Sequence, residues 1–119
     1  MIAGMEPTDL FMLLSDATRL RAIMLLRSED ELCVCELTEA LGESQPKISR
    51  HLAMLRAAGV VEARRDGLWM HYRLSPALPG WVREILERAC TGLEALQPFE
   101  ADRQALAAVE NRPPERACG

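Results

Sequence analysis

Two cysteines separated by one residue, Cys33-Val34-Cys35, are the side chains of this 119-residue chain best suited to chemistry. Thiolates are soft ligands and select soft, thiophilic ions. The pair supplies the smallest chelate for such an ion, and a third sulfur would complete it. A C-x-C pair alone is a weak signal, so its position in the fold decides whether it predicts a metal site.

A third sulfur has three candidate sources. Cys90 or Cys118 could supply it from either subunit, and so could a small thiol such as glutathione. Alternatively, Cys90 is a buried thiol on a long helix and Cys118 an exposed thiol on a mobile tail. Four cysteines in an intracellular chain favour metal ligation or plain thiols over disulfides.

The sequence argues against a membrane protein and against an enzyme. Its longest unbroken apolar runs, residues 10–14 and 22–26, are far too short to span a bilayer, and its start lacks the pattern of a signal peptide. No C-x-x-C motif, phosphate-binding glycine loop, paired catalytic carboxylates or Ser/His/Asp arrangement is present. We therefore expect a cytoplasmic protein that is not an enzyme and has no membrane partner.

The cysteines lie among four predicted helices. Apolar periodicity and capping residues predict helices over 7–14, 15–27, 33–41 and 44–58, with a short turn containing Gly42 before the fourth. Two helices joined in this way are typical of a helix-turn-helix.

After the second helix of that motif, the spacing of apolar residues changes from a helical period to the alternation typical of a strand. Asp66-Gly67 predicts a tight hairpin between strands 60–64 and 68–74, which would form a wing. Further helices are predicted over 81–96 and 101–110. The expected fold is mainly α with a small β-hairpin, a homodimeric winged helix-turn-helix. Its domain would span residues 1–97, and residues 98–119 would form a C-terminal extension, partly helical and then mobile.

Charge is unevenly distributed along the chain. The whole protein carries −4, but residues 45–73 carry net +4 between two acidic segments. A DNA-binding face needs positive charge on that face and does not need a positive net charge on the whole protein. The second helix of the motif would enter the major groove, and the wing would reach the neighbouring backbone. The predicted DNA-binding residues are Gln45, Lys47, Ser49, Arg50, His51, Arg64 and Arg65, although His51 could equally be a neighbour on the helix surface.

The helix over 81–96 has more apolar surface than one small core needs. DNA-binding proteins with a helix-turn-helix usually dimerise, so that two recognition helices contact two half-sites on the DNA. We expect the helix to pair with its copy, helped by the helix over 7–14, through a stripe formed by Val82, Ile85, Ala89 and Leu93.

Four segments together resemble the ArsR family of metal-responsive winged-helix repressors. They are residues 16–21 (DATRLR), 31–37 (ELCVCEL), 44–52 (SQPKISRHL) and 65–75 (RDGLWMHYRLS). The resemblance covers about residues 7–96 and is greatest to the arsenic- and antimony-responsive members. It implies a homodimeric repressor that holds operator DNA without metal and releases it when the metalloid binds. The family's Cys-Val-Cys ligands correspond to Cys33 and Cys35, whereas Thr38 stands where many relatives carry a third cysteine.

Alternatives remain within the same fold. Cadmium- and lead-responsive relatives recruit cysteines from an N-terminal extension, but residues 1–32 contain none; zinc-responsive relatives use histidines on the last long helix, and 81–96 contains none. Thiol oxidation of Cys33 and Cys35 is a further alternative. Since residues two apart on a regular helix point about 200° apart, binding through both sulfurs is expected to unwind the start of helix 33–41.

Overall fold

A computed structural model of the chain describes residues 5–110, 112 and 113. Its elements, in chain order, are α1 (Pro7–Leu14), α2 (Ala17–Ser28), β1 (Leu32–Cys33), α3 (Val34–Leu41), α4 (Gln45–Ala57), β2 (Val61–Asp66), β3 (Trp69–Leu74), α5 (Gly80–Leu93) and α6 (Phe99–Ala107). The predicted winged helix-turn-helix is confirmed. Among the helices of the described residues, none has the length and apolar character needed to cross a bilayer.

Local signals set the ends of the motif's helices. The Asp16 side chain accepts from the Arg19 N–H at 3.0 Å, and Ser44 accepts from the Lys47 N–H at 3.4 Å, so each caps a helix start. Gly42 ends α3 in the left-handed conformation with φ 67°, which a residue without a Cβ adopts at no steric cost. Gly42 and Ser44 lie at the two ends of the short turn between α3 and α4.

The wing belongs to a three-stranded antiparallel sheet of order β1-β3-β2 rather than to an isolated hairpin. In it, Leu32 pairs with Tyr72 and Cys33 with His71. A two-residue strand is too short to produce a periodic signal, which is why the sequence predicts only the hairpin. The pairing ties the residue before α3 to the base of the wing.

The core is built around α2. Residues 22–26 are buried in succession, so every face of that part of the helix is covered. The helices α1, α3, α4, α5 and α6 all contact it. This arrangement places the helix-turn-helix and the C-terminal helices on one shared core.

Helix α6 is anchored to α2 by a buried ion pair. Arg21 donates to both carboxylate oxygens of Asp102, at 2.9 Å and 2.7 Å, and Asp102 is only 3% exposed. The hydrogen bond to Asp102 raises the pKa of Arg21. Leu106 and Val109 add buried side chains to the same core. The expected mobility of the last residues, 114–119, lies outside the described part of the chain.

Candidate thiol site and nucleic-acid interface

Cys33 lies at the boundary between β1 and α3. Its backbone is extended, with φ −87° and ψ 164°, so it caps the helix instead of belonging to it. The Glu36 N–H donates to the Cys33 sulfur at 3.4 Å, and the Cys33 N–H donates to Glu36 Oε1 at 2.8 Å. This reciprocal pair is a capping box with a cysteine sulfur in place of the usual hydroxyl oxygen. Cys33 is thereby fixed and is 1% exposed.

Cys35, in the first turn of α3, lies beside it. The structure joins Cys33 and Cys35 in a disulfide, with their Cα atoms 5.4 Å apart. The expectation that both sulfurs can meet only if α3 unwinds is therefore wrong. Its premise placed Cys33 inside the helix, whereas an extended cap directs its side chain toward the first turn.

The two cysteines open into a groove of about 600 Å³ between α3, the start of α4 and the tip of the wing. Its walls are Cys33, Val34, Cys35, Thr38, Glu39, Gln45, Leu68, Trp69 and Met70. Thr38 follows Cys35 by one helical turn, and its buried hydroxyl has no hydrogen-bond partner among the described residues. The thiol pair thus shares one groove with Gln45 and with the wing.

The structure does not bring Cys90 into this groove. Cys90 lines a separate cavity between α2, α5 and α6, together with Leu25 and Phe99. Cys118 lies outside the described residues. Within the described ranges, no group of three or more His, Cys, Asp or Glu side chains could hold a metal ion.

Two residues of the site's surroundings were not predicted from the sequence. Glu36 is completely buried, and its Oε2 accepts from Arg112 Nε at 2.6 Å. The spacing Cys33-x-x-Glu36 fits a capping box, but cysteine at the cap is not one of the usual residues. Nothing in the local sequence indicates that Arg112 reaches Glu36.

Helix α4 presents four of the predicted DNA-contacting side chains. Gln45 and Arg50 are exposed, and Lys47 and Ser49 are half-buried. The Lys47 ammonium is already paired with Glu43 Oε1 at 3.0 Å. Arg50 therefore offers the less encumbered charge on this helix.

His51 faces the interior rather than the exposed face of α4, which corrects its grouping with the DNA-contacting residues. It is 8% exposed. Arg19 Nη1 lies 3.3 Å from its Nδ1, and Asp16 Oδ1 lies 3.8 Å from its Nε2. Burial lowers the pKa of His51, with Arg19, Arg50 and Lys47 adding to the effect and Asp16 opposing it. The side chain connects α4 to α2.

The two arginines of the wing differ in their surroundings. Arg64 donates from Nε and Nη2 to the two carboxylate oxygens of Glu31, at 2.9 Å and 2.6 Å. Arg65 is exposed next to the turn. Because Glu31 already neutralises much of the Arg64 charge, Arg65 is the better placed of the two for a phosphate.

The four residues of the stripe proposed for dimerisation differ in burial. Val82 is fully buried within the subunit, on the side of α5 that packs on the core. Its assignment to a subunit interface is therefore wrong, because the inward face of α5 needs an apolar residue at this position. Ile85, Ala89 and Leu93 are half-buried. Three large apolar side chains that the stripe omits are exposed, namely Phe11 (53%), Met12 (61%) and Trp81 (37%).

Comparison with known proteins identifies the family. The sequence profile described as "Bacterial regulatory protein, arsR family" matches residues 16–63. The "Arsenic resistance transcriptional regulator ArsR2" of Pseudomonas putida is 59% identical over 81 residues, which cover 68% of this chain and 70% of that protein. The chain belongs to the ArsR family. The "Arsenical resistance operon repressor" of Escherichia coli is 53% identical over 83 residues, covering 70% of this chain and 71% of that repressor.

Solved structures of other regulators share the fold. The AntR antimony-specific transcriptional repressor is 31% identical with a TM-score of 0.62, covering 74% of this chain and 77% of AntR. Reduced HlyU from Vibrio cholerae is also 31% identical, with a TM-score of 0.61 over 75% of this chain and 85% of HlyU. This chain is accordingly a transcriptional repressor of the ArsR family.

Proposed function

We propose that this ArsR-family repressor binds operator DNA as a homodimer and releases it when As(III) or Sb(III) binds Cys33 and Cys35. The observation that carries the proposal is the shared groove, in which the thiol pair faces Gln45 and the tip of the wing. Two relatives named for arsenic or arsenical resistance and one named for antimony support the choice of inducer.

The donor set fits such an ion. Cys33 and Cys35 approach one another without distorting α3, and both are sulfur ligands of the kind that trivalent arsenic and antimony prefer. Binding of arsenous acid by the reduced pair forms two As–S bonds, with loss of two hydroxyl groups as two water molecules and no change in oxidation state. A third ligand would come from a small thiol, from Cys118, or from a remaining hydroxyl group.

The groove also indicates how binding would reach the DNA. An ion held by the two sulfurs would occupy the groove that the first residue of α4 and Trp69 and Met70 of the wing also line. If the ion fits better when these walls have moved, binding shifts the population away from the DNA-competent arrangement. Reciprocity then requires that bound DNA weaken ion binding by the same factor.

Thiol oxidation is the second candidate signal, and one observation favours it. The Cα separation of Cys33 and Cys35 lies within the range of disulfides, and no turn of α3 has to break for the bond to form. Oxidation would remove two thiol protons and two electrons, which an oxidant such as a peroxide accepts. The same groove would then report redox state rather than metalloid concentration.

Operator binding in the presence of each candidate signal tests the proposal. The reduced protein is titrated onto DNA from upstream of its own gene, with arsenite, antimonite, cadmium, zinc or hydrogen peroxide added separately. We expect arsenite and antimonite to release the DNA. Release by peroxide alone would favour the redox signal, and release by cadmium or zinc alone would contradict the assigned inducer.

The DNA interface makes a separate prediction about charge. Arg50→Ala should weaken operator binding and flatten its salt dependence by about two units of slope, because each lost phosphate contact contributes about one and a dimer carries the change twice. Lys47→Ala should have a smaller effect, since Lys47 must first leave Glu43. The measurement is affinity against salt concentration.

Arg88→Ala is the matched control, because Arg88 is an exposed arginine on α5. Its salt dependence should equal that of the unmodified protein. Equal slopes for the Arg50 and Arg88 variants would place the DNA contact elsewhere.

A further inference from the structure

We propose that Arg112 is a positioning residue for Cys33 and Cys35 and is thereby part of the inducer site. This inference rests on the proposed function, because it concerns how the chain holds Cys33 ready for the metalloid. It assigns a role to a segment that lies beyond the helix-turn-helix, the wing and α5.

A continuous set of hydrogen bonds connects Arg112 to Cys33. Arg112 Nε donates to Glu36 Oε2 at 2.6 Å, and the other oxygen of the same carboxylate accepts from the Cys33 N–H at 2.8 Å. The Glu36 side chain is completely buried, and that of Arg112 is 18% exposed. A buried carboxylate is tolerated when a cation and hydrogen bonds compensate its lost hydration. Arg112 therefore holds the Glu36 side chain in the position from which it accepts from the Cys33 N–H.

The segment that carries Arg112 is itself firmly attached. Helix α6 contacts α2 and α3, and Asp102 holds Arg21 through two hydrogen bonds. Arg21 also donates to the carbonyl of Leu41, the last residue of α3, at 3.2 Å. Helix α6 thus contacts one end of α3, at Leu41 through Asp102 and Arg21, and Arg112 contacts the other end, at Cys33 through Glu36.

Fixing Cys33 has a direct consequence for ligand binding. Two sulfurs that must hold one ion lose less conformational freedom on binding if their backbone is already held in place. Without Arg112, Glu36 loses the hydrogen bond and the charge of this cation, and its bond to the Cys33 N–H is weakened. Cys33 would then sample other positions, and the metalloid would bind less tightly.

The experiment compares Arg112→Ala, Arg112→Lys and the control Arg88→Ala in the full-length, reduced protein. We expect arsenite to bind the Arg112→Ala protein about tenfold more weakly, while its operator affinity without arsenite stays within about twofold of the unmodified value. Arg112→Lys should recover part of the loss because it restores a cation. The rate at which iodoacetamide modifies Cys33 should rise in Arg112→Ala and remain unchanged in Arg88→Ala.

A double-mutant cycle with Glu36→Gln isolates the mechanism and provides a variant without an uncompensated charge. In the Glu36→Gln background, Arg112→Ala should have no further effect on arsenite binding. An unchanged arsenite affinity in Arg112→Ala, an equal loss in both backgrounds, or a parallel loss of arsenite and operator binding would each overturn the inference. Arsenite binding by a protein lacking both Cys33 and Cys35 would instead overturn the proposed function.

Discussion

The substitutions Cys33→Ser and Cys35→Ser should each abolish the release of operator DNA by arsenite, while the metal-free variants still bind the operator. One remaining thiolate cannot chelate the ion. The fold should tolerate both changes: a serine in place of Cys33 is a favourable cap and forms a standard capping box with Glu36, and Cys35 is only half-buried. The measurement is the fraction of DNA bound at increasing arsenite concentration, together with the thermal stability of each variant.

The other two cysteines provide the controls. Cys90→Ser should respond like the unmodified protein, because Cys90 lines a different cavity. Cys118→Ser tests the third sulfur: if Cys118 supplies it, the arsenite needed for release should rise about tenfold or more, the factor equivalent to about 1.4 kcal/mol. A double variant of Cys33 and Cys35 that still released DNA with arsenite would refute the assigned site.

The features that the sequence predicted well have local causes. Asp66-Gly67 predicts a hairpin, which is confirmed, but its two-residue turn lies one position later, at residues 67 and 68, because Asp66 pairs with Trp69; Gly67 has φ 62° there. The helix caps Asp16 and Ser44 are equally local, because their side chains accept from backbone N–H groups only three residues away. Such signals depend on a few neighbouring residues, so one sequence contains them in full.

The features that it missed depend on which surfaces meet. Helical periodicity shows that Val82 is apolar but not whether it faces its own core or a second subunit. The sequence does not indicate whether His51 on α4 faces solvent or Arg19 of α2, because the answer depends on how the two helices pack. The bond from Arg112 to Glu36 joins residues 76 positions apart. No local pattern encodes such a contact, since it requires α6 to be docked first.

The thiol site shows both kinds of information. The residue types of Cys33 and Cys35 indicate soft-ion chemistry by themselves, whereas the shape of the site depends on the extended backbone at Cys33 and on the wing. Assuming one uninterrupted helix led to an expected unwinding that the structure does not require. Cys33 lies outside the helix because it pairs with His71 in the sheet, where its backbone is extended.

A negative charge at Phe11 should convert the proposed dimer into a monomer and weaken operator binding about 10²-fold or more, the scale at which two linked binding modules exceed one. Phe11 is 53% exposed, whereas its neighbour Leu10 is completely buried. The change Phe11→Glu therefore leaves the subunit core intact. An exposed aromatic on α1, with Met12 beside it and Trp81 exposed on α5, is the kind of apolar surface that a second subunit covers. Ile85→Glu makes the same test from α5.

Sedimentation at micromolar concentration measures the oligomeric state, and a titration onto operator DNA measures the affinity. Leu68→Ser is the control, because it also alters an exposed apolar side chain but lies at the tip of the wing, where Leu68 is 99% exposed. That variant should remain dimeric. Because each subunit presents one recognition helix, a monomer contacts one half-site and loses the gain from simultaneous binding at the second. A monomeric unmodified protein, or a dimeric Phe11→Glu protein with full operator affinity, would show that α1 does not form the subunit interface.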